Sequence, residues 1–145
     1  MSDIISHSEQ ETYAAAAEFA AGLAPESVVA LSGDLGTGKT AFSASVLSAL
    51  GAEGPYPSPT FVIMHRYDLP QSSVQGIRRV YHIDAYRIDD PDDLVRLGFE
   101  EWISDPEGLV LIEWPERLGD LIPDDAIRVA FEWVSETERE IRIEN

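Results

Sequence analysis

The chain has 145 residues, 44% of them hydrophobic, which is enough apolar material for one packed domain, expected over residues 1–145. Its net charge of −17 disfavours direct, tight binding of nucleic acid by this chain, because a phosphate backbone would be repelled. The absence of cysteine excludes disulfides and thiolate metal sites, and the lack of a long apolar run or export leader leads us to expect a cytoplasmic protein without membrane contact.

The first half of the chain is predicted to contain two helices separated by a buried strand. Ser8 and Glu11 have the spacing of a capping box, and they precede an alanine-rich helix that ends at Gly22. The apolar run SVVALSG predicts a strand buried on both faces. The run KTAFSASVLSALG then predicts a second helix, with Gly51 as its C-cap.

The second half is predicted to be richer in strands. TFVIMHRYDL and RRVYHIDAYRI, joined by a short polar link, predict a hairpin. Asp90 as N-cap and Pro91 at the first helical position predict the start of a helix over DDPDDLVRLGFEEWI. GLVLIEW predicts another buried strand, whereas AIRVAFEWV and EREIRI alternate apolar with polar residues, which is typical of a half-exposed terminal pair.

A phosphate-binding motif lies between the first predicted strand and the second helix. GDLGTGKT has the P-loop spacing, in which glycines let backbone amides converge on phosphates at a helix N-terminus. Lys39 would reach the β- and γ-phosphates, and the Thr40 hydroxyl would bind magnesium. The residues expected to contact the nucleotide here are Asp34, Leu35, Gly36, Thr37, Gly38, Lys39, Thr40 and Ala41.

Lys39 is the only lysine of the sequence, and every other basic residue is an arginine. A compact ammonium over a phosphate cannot be exchanged for a planar guanidinium without a change in geometry, so the single lysine stands where the chemistry requires it. Proteins that read guanine commonly use an Asn-Lys-x-Asp motif, and no second lysine remains to build one. ATP is therefore the expected nucleotide, together with Mg²⁺.

Two acidic residues end predicted strands and are candidates for the metal and for hydrolysis. Glu113 ends the more apolar strand and is the expected second magnesium ligand. Asp84 could bind the metal through water, orient the attacking water or act as a base. Thr60, in the loop after the P-loop helix, could contact magnesium or water, or simply belong to a proline turn. Trp114 could pack beside the nucleotide, or belong to the core.

Taken together, GDLGTGKT, SPTF, YHIDAYRI, LGFEEW and LIEWPER resemble, in order and spacing, the bacterial TsaE family of tRNA threonylcarbamoyladenosine biosynthesis. The resemblance runs from Thr12 to Arg139. It implies a three-layer α/β P-loop NTPase-like fold, with a mainly parallel central sheet plus an antiparallel hairpin. It also implies weak ATP hydrolysis in isolation, in the service of two partner proteins, TsaD and TsaB, which modify the adenosine beside the tRNA anticodon.

The resemblance also implies roles for individual residues. Lys39 and Thr40 match the family's nucleotide and magnesium site, and Glu113 matches its second magnesium ligand. Asp84 and Thr60 match positions tied to hydrolysis, and the positions expected near the nucleotide at the two chain ends are Thr12 and Arg139. Two other functions stay open at this point: a small-molecule P-loop kinase, and a nucleotide-dependent interaction module that does not hydrolyse.

Overall fold

A seven-stranded sheet forms the centre of the fold in the computed structural model, which describes residues 2–34, 36–57, 59, 62–69 and 75–144. The strands are β1 (Ser2–Ser6), β2 (Val28–Ser32), β3 (Met64–Asp68), β4 (Arg79–Asp84), β5 (Gly108–Glu113), β6 (Ile127–Trp133) and β7 (Arg139–Glu144). The helices are α1 (Glu9–Ala21), α2 (Lys39–Ala49), α3 (Pro91–Leu97) and α4 (Phe99–Ile103), and two 3₁₀ turns cover Pro115–Arg117 and Gly119–Leu121.

The sheet is mixed, in the order β1-β7-β6-β2-β5-β4-β3. Parallel pairing joins β2 to β5, β2 to β6 and β4 to β5. Antiparallel pairing joins β3 to β4, β6 to β7 and β1 to β7, so β3 and β7 run against the other five strands. The predicted α/β fold is confirmed: the centre of the sheet is parallel, and antiparallel pairs, the predicted hairpin of β3 and β4 among them, lie on both sides of it.

Helices cover the two faces of the sheet and produce three layers. Leu31 of β2 packs in one core cluster together with Phe42 of α2, and the same cluster includes buried residues of α1. Its neighbour Ala30 faces the other way, into a second cluster that contains Leu94 of α3 and Phe99 of α4. Alternate residues of a strand point to opposite faces, so an apolar run such as SVVALSG lies buried on both sides.

The predicted first helix and its Ser8 N-cap are confirmed, although the Glu11 carboxylate accepts from the His7 amide, one residue before the amide that a capping box would use. The Ser8 side chain accepts a hydrogen bond from the Glu11 amide at 3.1 Å, and the helix ends at the Gly22 cap. Among the helices of the described residues, none is long and apolar enough to cross a membrane.

Two predicted elements differ from the structure. The segment after Asp90 is divided into two helices rather than one, because Gly98 has φ 120°, a value outside helical geometry, and closes α3 by donating to Leu94 O and Val95 O. The strand predicted from TFVIMHRYDL begins only at Met64, since Ile63 has φ 71° and lies in a turn that closes on Pro59 O.

Strand β1 has no counterpart among the predicted elements. Its five residues contain two apolar side chains, too few for a periodic signal. The strand exists because β7 offers a free edge, and Ile4 there aligns with Ile141 above the α1 side of the sheet. β1 leads directly into α1, and because Ser6 pairs with Arg139, the start of that helix lies beside the start of β7.

Candidate functional site

The P-loop connects the end of β2 to the start of α2. Gly33, Gly36 and Gly38 have φ values of 140°, 79° and 103°, which L-residues rarely adopt. At Gly33 a Cβ atom would lie 2.5 Å from Phe131 O on β6, so this position requires glycine for close packing. At Gly36 and Gly38 a Cβ would meet no atom of the described residues within 4 Å, so these two glycines border open space in that part of the structure.

Gly38 is the N-cap of α2 and carries no side chain to bond the first amides of the helix. Helix N-termini with unsatisfied N–H groups and a partial positive charge are natural sites for anions. The loop is braced from within by the buried Thr37, whose hydroxyl donates to Asp34 O at 2.6 Å. From the start of β7, Arg139 donates to Gly36 O at 3.4 Å. The predicted contact Leu35 lies outside the described residues.

Lys39 begins α2 and is 95% buried. Its Nζ donates to Gly33 O and lies 3.7 Å from the centroid of the Trp114 ring. Burial lowers the pKa of the ammonium from its ordinary value of 10.5, and nearby carboxylates, Glu113 first among them, oppose that lowering. Trp114 thus lies beside the P-loop lysine and also packs against the second core cluster, and its contact with a nucleotide stays a prediction.

The two predicted metal ligands are in contact. Thr40 Oγ1 on α2 donates to Glu113 Oε1 at the end of β5, at 3.2 Å, although 73 positions separate them in the chain. Asp84 ends β4 and is the register partner of Glu113. The residue is 95% buried, and its carboxylate accepts a hydrogen bond from the Tyr86 amide at 2.9 Å. Thr60, the other residue predicted to act in hydrolysis, lies outside the described residues.

His82 also contacts the metal-ligand candidate, and sequence reasoning missed this contact. Its Nε2 lies 2.7 Å from Glu113 Oε2, and both side chains are 3% exposed. From the sequence, His82 is expected to be a structural histidine like His7 and His65. The available signal is the period of two in VYHID, which places His82 on the same face of β4 as Asp84.

A cavity of about 390 Å³ opens beside the P-loop, between the start of α1 and the start of β7. Six residues predicted to contact the nucleotide line it: Thr12, Gly36, Thr37, Gly38, Ala41 and Arg139. Thr12 Oγ1 lies 2.6 Å from Ser6 Oγ, which ties this wall of the cavity to β1. The structure therefore gathers residues from both ends of the chain around one side of the loop.

The donor set at this site has the chemistry that a magnesium nucleotide requires. Mg²⁺ is usually held by one or two carboxylates, waters and substrate phosphates rather than by a cage of protein ligands. Within the described part of the chain, no group of three His, Asp or Glu side chains forms such a cage. The hydroxyl of Thr40 and the carboxylate of Glu113, beside open P-loop glycines, fit the partial ligand set instead.

Comparisons with known proteins agree with this architecture. Residues 6–141 match the family described as Threonylcarbamoyl adenosine biosynthesis protein TsaE. The tRNA threonylcarbamoyladenosine biosynthesis protein TsaE of Rickettsia bellii is 37% identical over 145 residues, covering 99% of this chain and 95% of the relative. The protein of the same name from Bacillus subtilis is 33% identical over 132 residues, covering 91% of this chain and 78% of the relative.

The fold is similar to that of a solved structure as well. The crystal structure of Bacillus subtilis YdiB superimposes with a TM-score of 0.78 at 28% sequence identity, over 97% of this chain and 82% of the other. The chain therefore belongs to the TsaE family, whose members take part in tRNA threonylcarbamoyladenosine biosynthesis.

Proposed function

We propose that this protein binds and hydrolyses ATP with Mg²⁺, in the service of threonylcarbamoyladenosine modification of tRNA by homologues of TsaD and TsaB. The observation that carries the proposal is that Lys39, Thr40 and Glu113 lie close together at the end of the P-loop, where α2 begins. Lys39 starts the helix that follows the loop, and Thr40 contacts Glu113 across two elements of the fold. A glycine-rich turn without catalytic purpose would not require this convergence.

The triphosphate would lie along the loop glycines, with its charge opposed by the Lys39 ammonium and the α2 N-terminus. Lys39 must leave Gly33 O to bond a phosphate oxygen, and its contact with the Trp114 ring keeps it near the loop. The cavity lined by Thr12, Ala41 and Arg139 is adjacent to the loop and large enough for an adenosine moiety.

Thr40 and Glu113 would hold magnesium, which neutralises developing charge on the phosphates when bound. Asp84 lies one strand away, at the same end of the sheet, where it could orient or deprotonate a water. Its carboxylate bonds the Tyr86 amide, so the turn after β4 controls its direction. Slow turnover by the isolated protein is expected if a partner is needed to align Asp84 and Thr60 with the phosphates.

The acidic surface supports work beside tRNA without direct contact. A net charge of −17 repels the tRNA backbone and favours docking to basic surfaces of partner proteins. Tight tRNA binding by the isolated protein at physiological salt would contradict this part of the proposal.

The decisive experiment measures nucleotide binding by calorimetry and phosphate release, with and without TsaD and TsaB homologues. Lys39→Ala should abolish ATP binding, while Glu113→Ala and Asp84→Ala should keep nucleotide binding and lose turnover. Ser45→Ala is the matched control, because its hydroxyl bonds Ala41 O within α2 and removing it leaves the loop intact. No uptake of adenine nucleotides by folded wild-type protein would refute the proposal.

The same assay separates the other functions that the P-loop allows. Transfer of phosphate to a metabolite, in place of release as inorganic phosphate, would identify a kinase. Binding without turnover, even with both partners present, would identify a nucleotide-dependent interaction module. Recovery of TsaD and TsaB homologues in a pull-down with ATP and Mg²⁺ is the result expected for the proposed ATPase.

A further inference from the structure

We infer that His82 is a positioning residue for the magnesium site: it orients the Glu113 carboxylate so that one oxygen faces the Thr40 hydroxyl. The inference rests on the proposed function, because it assigns His82 a role toward the magnesium of a bound nucleotide. It is carried by the contacts of the carboxylate and by the surroundings of the imidazole.

The two oxygens of Glu113 have different partners. Oε2 lies 2.7 Å from His82 Nε2, and Oε1 accepts from Thr40 Oγ1 at 3.2 Å. An ionised carboxylate only accepts hydrogen bonds, so the imidazole carries its proton on Nε2 and donates it to Oε2. This bond removes the freedom of the carboxylate to rotate and leaves Oε1 directed toward α2, where the metal would be held.

The surroundings of His82 argue against a purely structural role. The residue is 98% buried, and its Nδ1 is a buried nitrogen that has no hydrogen-bond partner among the described residues. Val80, two residues earlier on the same face, is fully buried in the apolar core. An apolar side chain at position 82 would satisfy that core without an unpaired nitrogen, so the contact with Glu113 explains why a histidine stands there.

Residues that bond a metal ligand from outside the coordination shell commonly fix its direction, and their loss lowers metal affinity about 10–100-fold. The chain offers a matched control in His65, the register partner of His82 on β3. Cross-strand partners share one face of the sheet, but the ring of His65 lies 6.5 Å from that of Tyr67, at the half-buried edge strand. Replacement of His65 thus removes a similar side chain without removing the bond to Glu113.

The test measures the affinity for a fluorescent ADP analogue across a magnesium titration, and again in EDTA. The magnesium midpoint is the magnesium concentration that gives half of the maximal gain in affinity for the ADP analogue. In His82→Leu this midpoint should rise about tenfold or more, while the affinity for the analogue in EDTA stays at the wild-type value. His82→Gln should restore the midpoint to within about threefold, because the glutamine amide reaches the position of Nε2. His65→Leu should match wild type.

An unchanged magnesium midpoint in folded His82→Leu would overturn the inference. A shift of the midpoint in His65→Leu as large as that in His82→Leu would do so too. So would a loss of affinity in His82→Leu that is as large in EDTA as in magnesium. If His82→Leu does not fold, His82→Asn replaces it, because the shorter amide ends near Nδ1 and cannot reach Glu113. Equal midpoints for the asparagine and glutamine variants would then overturn the inference. Absence of magnesium-dependent binding in the wild type would instead refute the proposed function.

Discussion

Replacing Gly33 with alanine should destabilise the fold by about 2–6 kcal/mol, through two separate effects. The first is the backbone conformation, since φ of 140° strains an L-residue by about 1–3 kcal/mol. The second is a collision, because the new Cβ would lie 2.5 Å from Phe131 O and 3.0 Å from Thr37 Oγ1. The carbonyl belongs to the β6 backbone and cannot move aside as a flexible side chain would, so overpacking adds about 1–3 kcal/mol.

Gly51→Ala separates the two effects. Gly51 follows α2 with φ of 94°, and a Cβ there meets no atom of the described chain within 4 Å, so this variant carries the conformational strain without the collision. Urea unfolding followed by tryptophan fluorescence gives both free energies. Gly33→Ala should be less stable than Gly51→Ala by about 2 kcal/mol. If the two variants differ by less than about 0.5 kcal/mol, which is within ordinary variation between sites, the close approach of Gly33 to β6 does not explain the glycine.

Asp105 accepts two hydrogen bonds from Arg79, at 2.6 and 2.8 Å. Asp105→Asn should therefore lower the free energy of unfolding by about 2–3 kcal/mol, measured by urea titration at pH 7. The control Asp68→Asn breaks an exposed ion pair and should change it by less than about 0.5 kcal/mol; an equal loss in both would refute the role of burial. Hydrogen bonds from Arg79 hold the pKa of Asp105 well below its ordinary value of 3.8, so this stabilisation is fully present above about pH 5 and is lost as the pH falls below about 4. The stability difference between wild type and Asp105→Asn should therefore shrink in acid, and a difference that grows there would contradict the sign. Ser8→Ala removes the acceptor of the Glu11 amide and should lower the melting temperature by an amount equivalent to about 1 kcal/mol, whereas an unchanged melting temperature would show that the cap contributes nothing.

Local features of the fold could be predicted because their causes lie within a few residues. The N-cap bond from the Glu11 amide to Ser8 and the glycine that ends α1 act over one helical turn. The strand, loop and helix around Lys39 are specified by glycine spacing and by apolar periodicity on either side. The division of the helix at Gly98 cannot be predicted in this way, because a glycine inside a helical pattern indicates reduced helix stability but does not reveal a φ of 120°.

From the residues alone, the class of chemistry could be predicted: a glycine-rich loop with one lysine, typical of phosphate binding, followed by acids at the ends of buried strands. The contact between Glu113 and Thr40 could be seen only in the folded chain, because it spans 73 positions and depends on the parallel pairing of β2 with β5. In the same way, the parallel pairing of β4 with β5 brings His82 to Glu113. The free edge of β7 explains why β1 forms from a segment without a periodic pattern of apolar residues. Such contacts depend on strand order and register, which arise from burial summed over the whole core. They therefore cannot be read from the residue types at the contacting positions.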